Sequence, residues 1–277
     1  MAKSIGKSVV GVIRFPGTNC DRDVFEAVSK LGGEPRWLWH GDLFDHKEYS
    51  ALILPGGFSY GDYLRSGALA ARATAMKSVR EAAMFGTPIL GICNGFQILC
   101  EARLLPGALS RNQGLRFIDE WVELKVVGGL SRFGQNAKAH TASGLRIPIA
   151  HADGRYTVSI DEASRLEDRG QVWLRYKVNP NGSVADIAGV TNEAGNVSGL
   201  MPHPERALET WMGSSDGRAL LDLWSDSGEL VDLDPGIHTA FDLPQLKVAA
   251  STTAVRPIRM LSSMVSRSDA AIVSGSI

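Results

Sequence analysis

Residues 88 to 99 read Pro-Ile-Leu-Gly-Ile-Cys-Asn-Gly-Phe-Gln-Ile-Leu, an apolar β-type run that passes into a helical one through Gly91-x-Cys93-x-Gly95. This is the pattern of a nucleophile elbow with sulfur in place of the serine oxygen. Small residues on either side of Cys93 allow a turn tight enough to hold the thiol clear of the sheet, where a substrate carbon can approach it. Unpaired N–H groups and the dipole at the helix start favour the thiolate, the reactive form. Nucleophilic attack on a carbonyl carbon is the chemistry that fits. An arbitrary free cysteine is more often core packing, and that is the reading for Cys100, inside the helix. Cys20, in Asn19-Cys20-Asp21, can sit at a helix N-terminus, but no elbow precedes it.

A thiol that cleaves an amide needs a general acid and base, usually histidine. Of the six histidines, only His203, in Met201-Pro-His-Pro-Glu-Arg206, closes a strand-like run and has a carboxylate two residues later. Fixed φ at Pro202 and Pro204 restrains the loop, and Glu205 can hold the imidazole in the tautomer that accepts the thiol proton. The competing reading is a surface loop with an incidental histidine, and the fold must bring His203 to Cys93. An oxyanion site should accompany the nucleophile. Leu54-Pro-Gly-Gly-Phe58 follows another apolar run, so the Gly57 amide, with that of Asn94, can bind a tetrahedral oxyanion. Pro-Gly-Gly also ends many strands that have no such role.

These groups need a scaffold that delivers several loops to one edge. Val9 to Phe15, Arg36 to Trp39, Ala51 to Leu54 and Pro88 to Ile92 are short apolar runs alternating with helical segments, the signature of parallel βαβ units covered on both faces. Loops at the carboxyl edge of such a sheet carry ligand sites. Asp21 is expected to cap a helix with Val24, Ala27, Val28 and Leu31 on one face and Gly32-Gly33 as its stop. Ala68 to Phe85 reads as one longer helix. From Arg116 to Met201 the pattern becomes strands and tight turns, with Asn179-Pro-Asn-Gly182 and Glu193-Ala-Gly-Asn196 as turn signals. In that part Val122, Leu124 and Val126 alternate with Glu123 and Lys125. A last helix is expected at Gly217 to Trp224. The pattern predicts one catalytic domain over 1–225 and a poorly ordered extension over 226–277.

Composition narrows the function classes. The 277 residues carry 29 Lys plus Arg against 30 Asp plus Glu, a net charge of −1, so no broad field attracts nucleic acid or an anionic membrane. Three cysteines, an odd number, fit a reducing compartment. No run approaches the ~18 to 20 apolar residues of a membrane span. A cytoplasmic location is expected. There is no phosphate loop of Walker type, and neither cofactor nor metal is expected in this chain.

Taken together, Pro55-Gly56-Gly57, Gly91-Ile-Cys93-Asn94-Gly95-Phe96-Gln97 and His203-Pro204-Glu205 resemble the class I (triad) glutamine amidotransferases. Within that class, Phe15 to Asp23, Gly56 to Arg65, Ile149 to Arg155, Asn179 to Ser183 and Gly199 to Arg206 are similar to the glutaminase subunits of phosphoribosylformylglycinamidine synthase. The resemblance spans about residues 9 to 225. It implies an α/β, flavodoxin-like fold with a mostly parallel central sheet, helices on both faces and additional antiparallel strands. It implies Cys93 as nucleophile, His203 as acid and base, Glu205 as its orienting partner and Gln97 as a contact for bound glutamine. The implied partner is a synthetase subunit that binds ATP and magnesium and uses the released ammonia, and a small third subunit is left open. A cysteine hydrolase or chaperone-like protein of the same architecture is the alternative, but it would not need His203 and Glu205. A docking module without activity would not need Cys93 either.

Overall fold

The computed structural model describes residues 8–127, 129–135, 137 and 144–221. The extension expected over 226–277 lies outside them. In chain order the elements are β1 (Val9–Arg14), α1 (Asp21–Lys30), β2 (Glu34–Trp39), β3 (Ala51–Leu54), α2 (Ala75–Met84), β4 (Ile89–Ile92) and α3 (Asn94–Glu101). They continue with β5 (Ala108–Ser110), β6 (Ile118–Val126), β7 (Leu145–His151), β8 (Arg155–Thr157), α4 (Ile160–Asp168), β9 (Val172–Tyr176), β10 (Ile187–Thr191) and β11 (Val197–Leu200).

Among the described residues one nine-stranded sheet runs β2-β1-β3-β4-β11-β10-β9-β6-β7, and β5 pairs separately with β8. Strands β2, β1, β3, β4 and β11 are parallel, and the remainder of the sheet is antiparallel. The centre of the parallel part is wholly apolar: all four residues of β3 and of β4 are buried, as expected for strands covered on both faces. Each fully buried Leu or Ile there contributes about 1.5–3 kcal/mol. In β6 the alternation is as read, with Val122, Leu124 and Val126 buried and Glu123 and Lys125 exposed.

Four local expectations need correction. Cys20, not Asp21, stands at the N-cap of α1; Asp21 is the first helical residue and pairs with Arg14 at 2.5 Å. The helix expected over Ala68 to Phe85 is broken. A short 3₁₀ turn at Ala70–Arg72 ends at Ala73 in extended conformation, and Ala75 N then donates to His40 O at 2.9 Å, so α2 starts on a tertiary bond. The segment Arg116 to Met201 is not strands and turns alone, because α4 interrupts it. The last helix is a 3₁₀ segment over Asp216–Leu220, with residues 222–224 outside the described set.

The order β2-β1-β3-β4 puts a topological switch at β1 and β3, since the chain leaves β1 towards β2 on one side and later returns to β3 on the other. The crevice beyond the carboxyl ends of such strands is where α/β sheets place ligands. Here the loops that follow β1 and β3 are bridged to each other through Thr18 and Gly57.

Candidate active site

Cys93 is the single residue between β4 and α3. Its backbone, at φ 50° and ψ −105°, is a conformation that costs a non-glycine residue about 1–3 kcal/mol and persists only where its surroundings enforce it. Two bonds do so: Cys93 N donates to Leu200 O at 2.8 Å, and Gln97 N donates to Cys93 O at 3.1 Å. Packing also selects the flanking glycines. A Cβ on Gly95 would lie 1.8 Å from the Leu54 carbonyl oxygen, and one on Gly91 would lie 2.6 Å from the carbonyl carbon and oxygen of Gly95. Backbone atoms cannot swing away as a flexible side chain can. Gly95→Ala is therefore expected to cost about 3 kcal/mol or more, whereas Gly114→Ala, where a Cβ meets nothing within 4 Å, should change stability by less than about 0.5 kcal/mol. Denaturant titration of both variants checks this, and equal midpoints would contradict the packing argument.

The thiol is buried, with Sγ 3.8 Å from Ala150 O at the end of β7. The same strand holds the histidine, since His203 N donates to Pro148 O at 2.9 Å. His203 Nδ1 lies 2.7 Å from Glu205 Oε1, and both side chains are almost fully shielded. Burial by itself pushes the His203 pKa down. The Glu205 carboxylate and the adjoining Cys93 and Cys20 thiols override it and raise the imidazole well above its ordinary value. With Nδ1 engaged by the carboxylate, Nε2 has no hydrogen-bond partner among the described residues. Gly56 reports how close the groups are: a Cβ there would lie 2.8 Å from His203 Cε1, 3.2 Å from Cys20 Sγ and 3.4 Å from Cys93 Cβ. The loop after β3 can pass between them only as glycine.

That loop also carries Gly57, which at φ 142° approaches Asn19 N so closely that a Cβ would lie 2.7 Å away. Ser59 N donates to Asn94 Oδ1 at 3.1 Å, tying the loop to the first turn of α3. Among the described residues no hydrogen bond occupies the Gly57 or Asn94 amide. Gln97 is buried, and its amide is already in use: Oε1 accepts from Asn94 Nδ2 at 2.8 Å and Nε2 donates to Asp153 O at 2.7 Å. Gln97 thus braces Asn94 against the loop that follows β7. Of the residues read as site residues, Asn94, Gln97, His203 and Glu205 gather about Cys93, and Gly57 follows Gly56 in the loop that passes it.

Cys20 and His151 both lie in segments that resemble the family, Phe15 to Asp23 and Ile149 to Arg155, but nothing in their local sequence assigns either a role at the site. Cys20 arrives at the site because it caps α1. Its sulfur accepts from Arg206 Nη2 at 3.2 Å and its thiol donates to Asn19 Oδ1 at 3.3 Å, while burial pushes its pKa up. Cys20, His203 and Glu205 offer ligand atoms within 4.8 Å of one another. They make a poor cation site, since Glu205 already holds His203 and a guanidinium faces the sulfur. Cys100 is packing, as read: it is buried, its thiol points to Pro106 O at 3.6 Å, and burial pushes its pKa up.

A family model for the CobB/CobQ-like glutamine amidotransferase domain matches residues 7–224. The phosphoribosylformylglycinamidine synthase subunit PurQ of Rubrobacter xylanophilus is 52% identical over 212 residues, covering 76% of this chain and 95% of that relative. The chain belongs to the PurQ family of glutamine amidotransferases. Among solved structures, a chain of PurLQS from Thermotoga maritima is similar at 46% identity with a TM-score of 0.71, covering 77% of this chain and 95% of its own. A glutamine amidotransferase from the same organism shares the fold at 20% identity and a TM-score of 0.50, covering 78% of this chain and 89% of its own. The span matched by the family model takes in the elbow, the His203–Glu205 pair and the Gly56–Gly57 loop alike. No described helix is long and apolar enough to cross a membrane.

Proposed function

We propose that this PurQ-family chain is the cytoplasmic glutaminase subunit of a phosphoribosylformylglycinamidine synthase and that Cys93, His203 and Glu205 are its triad. The Cys93 thiolate attacks the γ-carboxamide carbon of glutamine, a C–S bond forms, and the Gly57 and Asn94 amides receive the oxyanion. His203 gives its Nε2 proton to the departing nitrogen as the C–N bond breaks, which leaves a thioester and ammonia. Water then attacks the thioester with His203 as base, and glutamate leaves with the thiol regenerated. Glu205 orients the imidazole and stabilises its charged form. Gln97 contributes to the wall that contacts glutamine. The observation that carries this reading is the buried 2.7 Å His203–Glu205 pair beside the Cys93 elbow.

The relatives' names support a synthetase partner. In this reading the partner uses ATP and magnesium to convert formylglycinamide ribonucleotide into its amidine with the ammonia supplied. Hydrolysis without an acceptor wastes glutamine, so the partner is expected to complete the site, because small misplacements of oxyanion donors cost large factors in rate. Ligands on the partner act only if they favour the competent state of this chain. Steady-state glutamine hydrolysis should be slow for the lone subunit and rise about tenfold or more in the substrate-loaded complex, with a small third subunit as a separate arm. Equal specific rates for the lone subunit, the empty complex and the loaded complex would contradict coupling.

A further inference from the structure

His151 is a buried histidine that the triad does not use. It ends β7 one residue after Ala150, whose carbonyl lies 3.8 Å from Cys93 Sγ, and three after Pro148, whose carbonyl holds His203 N. Its tautomer follows from its partner. Asn112 Nδ2 donates to His151 O at 2.9 Å and to Arg116 O at 2.8 Å, which fixes the amide so that Oδ1 faces the imidazole. That oxygen accepts from Gly154 N at 3.1 Å and lies 3.1 Å from His151 Nδ1. Nδ1 must therefore carry the proton, and Nε2 presents a lone pair. The ring is clamped against Gly154, where a Cβ would lie 2.2 Å from Cε1 and Nδ1 and 2.5 Å from Nε2. Nε2 is fully buried and has no hydrogen-bond partner among the described residues.

An acceptor nitrogen left without a donor, on the residue that follows the carbonyl facing Cys93 Sγ, calls for a ligand N–H. Burial, reinforced by the nearby His203 charge, pushes the His151 pKa down to about 4, so near neutral pH this imidazole is an uncharged acceptor. Such a group can hold an N–H without giving a proton to ammonia, which stays a nucleophile only while it stays unprotonated.

We propose that His151 Nε2 accepts an N–H from the departing nitrogen of glutamine, orienting the carboxamide during C–N cleavage and holding the ammonia released. This rests on the glutaminase reading above and adds a contact residue for the leaving group. His151 itself gains and loses no proton: the proton on the leaving nitrogen comes from His203.

The test uses the assembled complex and two substrates, L-glutamine and L-glutamate γ-methyl ester, whose leaving oxygen carries no N–H. Two variants separate the two ring nitrogens. His151→Asn can keep the bond to Asn112 but has nothing at the Nε2 position; His151→Gln can return an acceptor oxygen there but gives up the Asn112 bond. His151→Asn should lose about tenfold or more in kcat/KM for glutamine while ester hydrolysis stays within about twofold, and His151→Gln should recover part of the glutamine rate. Equal losses on both substrates, no loss on glutamine, or better glutamine turnover by His151→Asn than by His151→Gln would overturn the proposal. Wild-type complex inactive on both substrates would instead overturn the glutaminase reading on which it rests.

Discussion

The Cys93→Ala variant is expected to lose glutamine-dependent amidine formation by about 10⁴-fold or more, while ammonia-dependent formation in the assembled complex persists. In the proposed reading only nitrogen release needs the thiolate, and the ATP-using chemistry is assigned to the partner. The substitution removes one sulfur from a buried position and leaves Gly91, Gly95 and the Leu200 and Gln97 backbone bonds that define the turn. The elbow should therefore keep its shape, and both activities can be measured on the same preparation. Loss of the ammonia-dependent rate as well would mean that Cys93 supports the complex and not the chemistry alone.

Removing the imidazole should cost nearly as much. His203→Ala is expected to lower glutamine turnover by about 10⁴-fold, and Glu205→Gln by less, since orienting a base matters less than supplying one. The smaller effect carries a pH signature. In the wild type the Glu205 carboxylate raises His203 well above the ordinary imidazole value of 6.5 against the opposing effect of burial. The stability that protonated His203 contributes is fully present below 6.5 and is lost as pH rises through the raised value of the folded state. In Glu205→Gln the largest raising contribution is lost and the folded value falls. The alkaline limb of the rate profile, where the imidazolium acid is lost, should then move to lower pH. Profiles of kcat/KM for both proteins check this, and an unmoved or raised limb would remove Glu205 from its assigned role.

Much of the scaffold is legible where local physics decides it. Ala51 to Leu54 is an apolar run closed by Pro55, and β3 has those bounds. Pro88 lacks an N–H, and β4 starts one residue later. Cys93 announces itself because an elbow needs small residues at fixed offsets. His203 and Glu205 do so because the prolines and the carboxylate sit beside the histidine in sequence. Helix α4 has a weak periodic signal: of its nine residues only Ala163 and Leu166 are buried, too narrow a stripe to show against its charges. Its local signal was Ser159-x-x-Glu162, realised in the cap in which Ser159 Oγ accepts from Glu162 N.

Cys20 and His151 lie in family-like segments, but nothing in their local spacing assigns either a role. Cys20 reaches His203 because α1 begins at the carboxyl edge of the sheet, and its thiol meets Arg206 across most of the described chain. His151 reaches the site because β7, last in the strand order, carries the carbonyls that face Cys93 Sγ and His203 N. Its tautomer depends on Asn112, from a different segment. Tertiary pairing created both features, so periodicity and spacing could not announce them.

Of the three buried thiols, Cys93 is the one proposed to react. Labelling the assembled complex with a glutamine-like electrophile, followed by peptide mass mapping, tests it most directly. One label per chain is expected, on the peptide containing Cys93, suppressed by excess glutamine and absent from Cys93→Ala. A label on Cys20 or Cys100, or one that glutamine does not suppress, would contradict it.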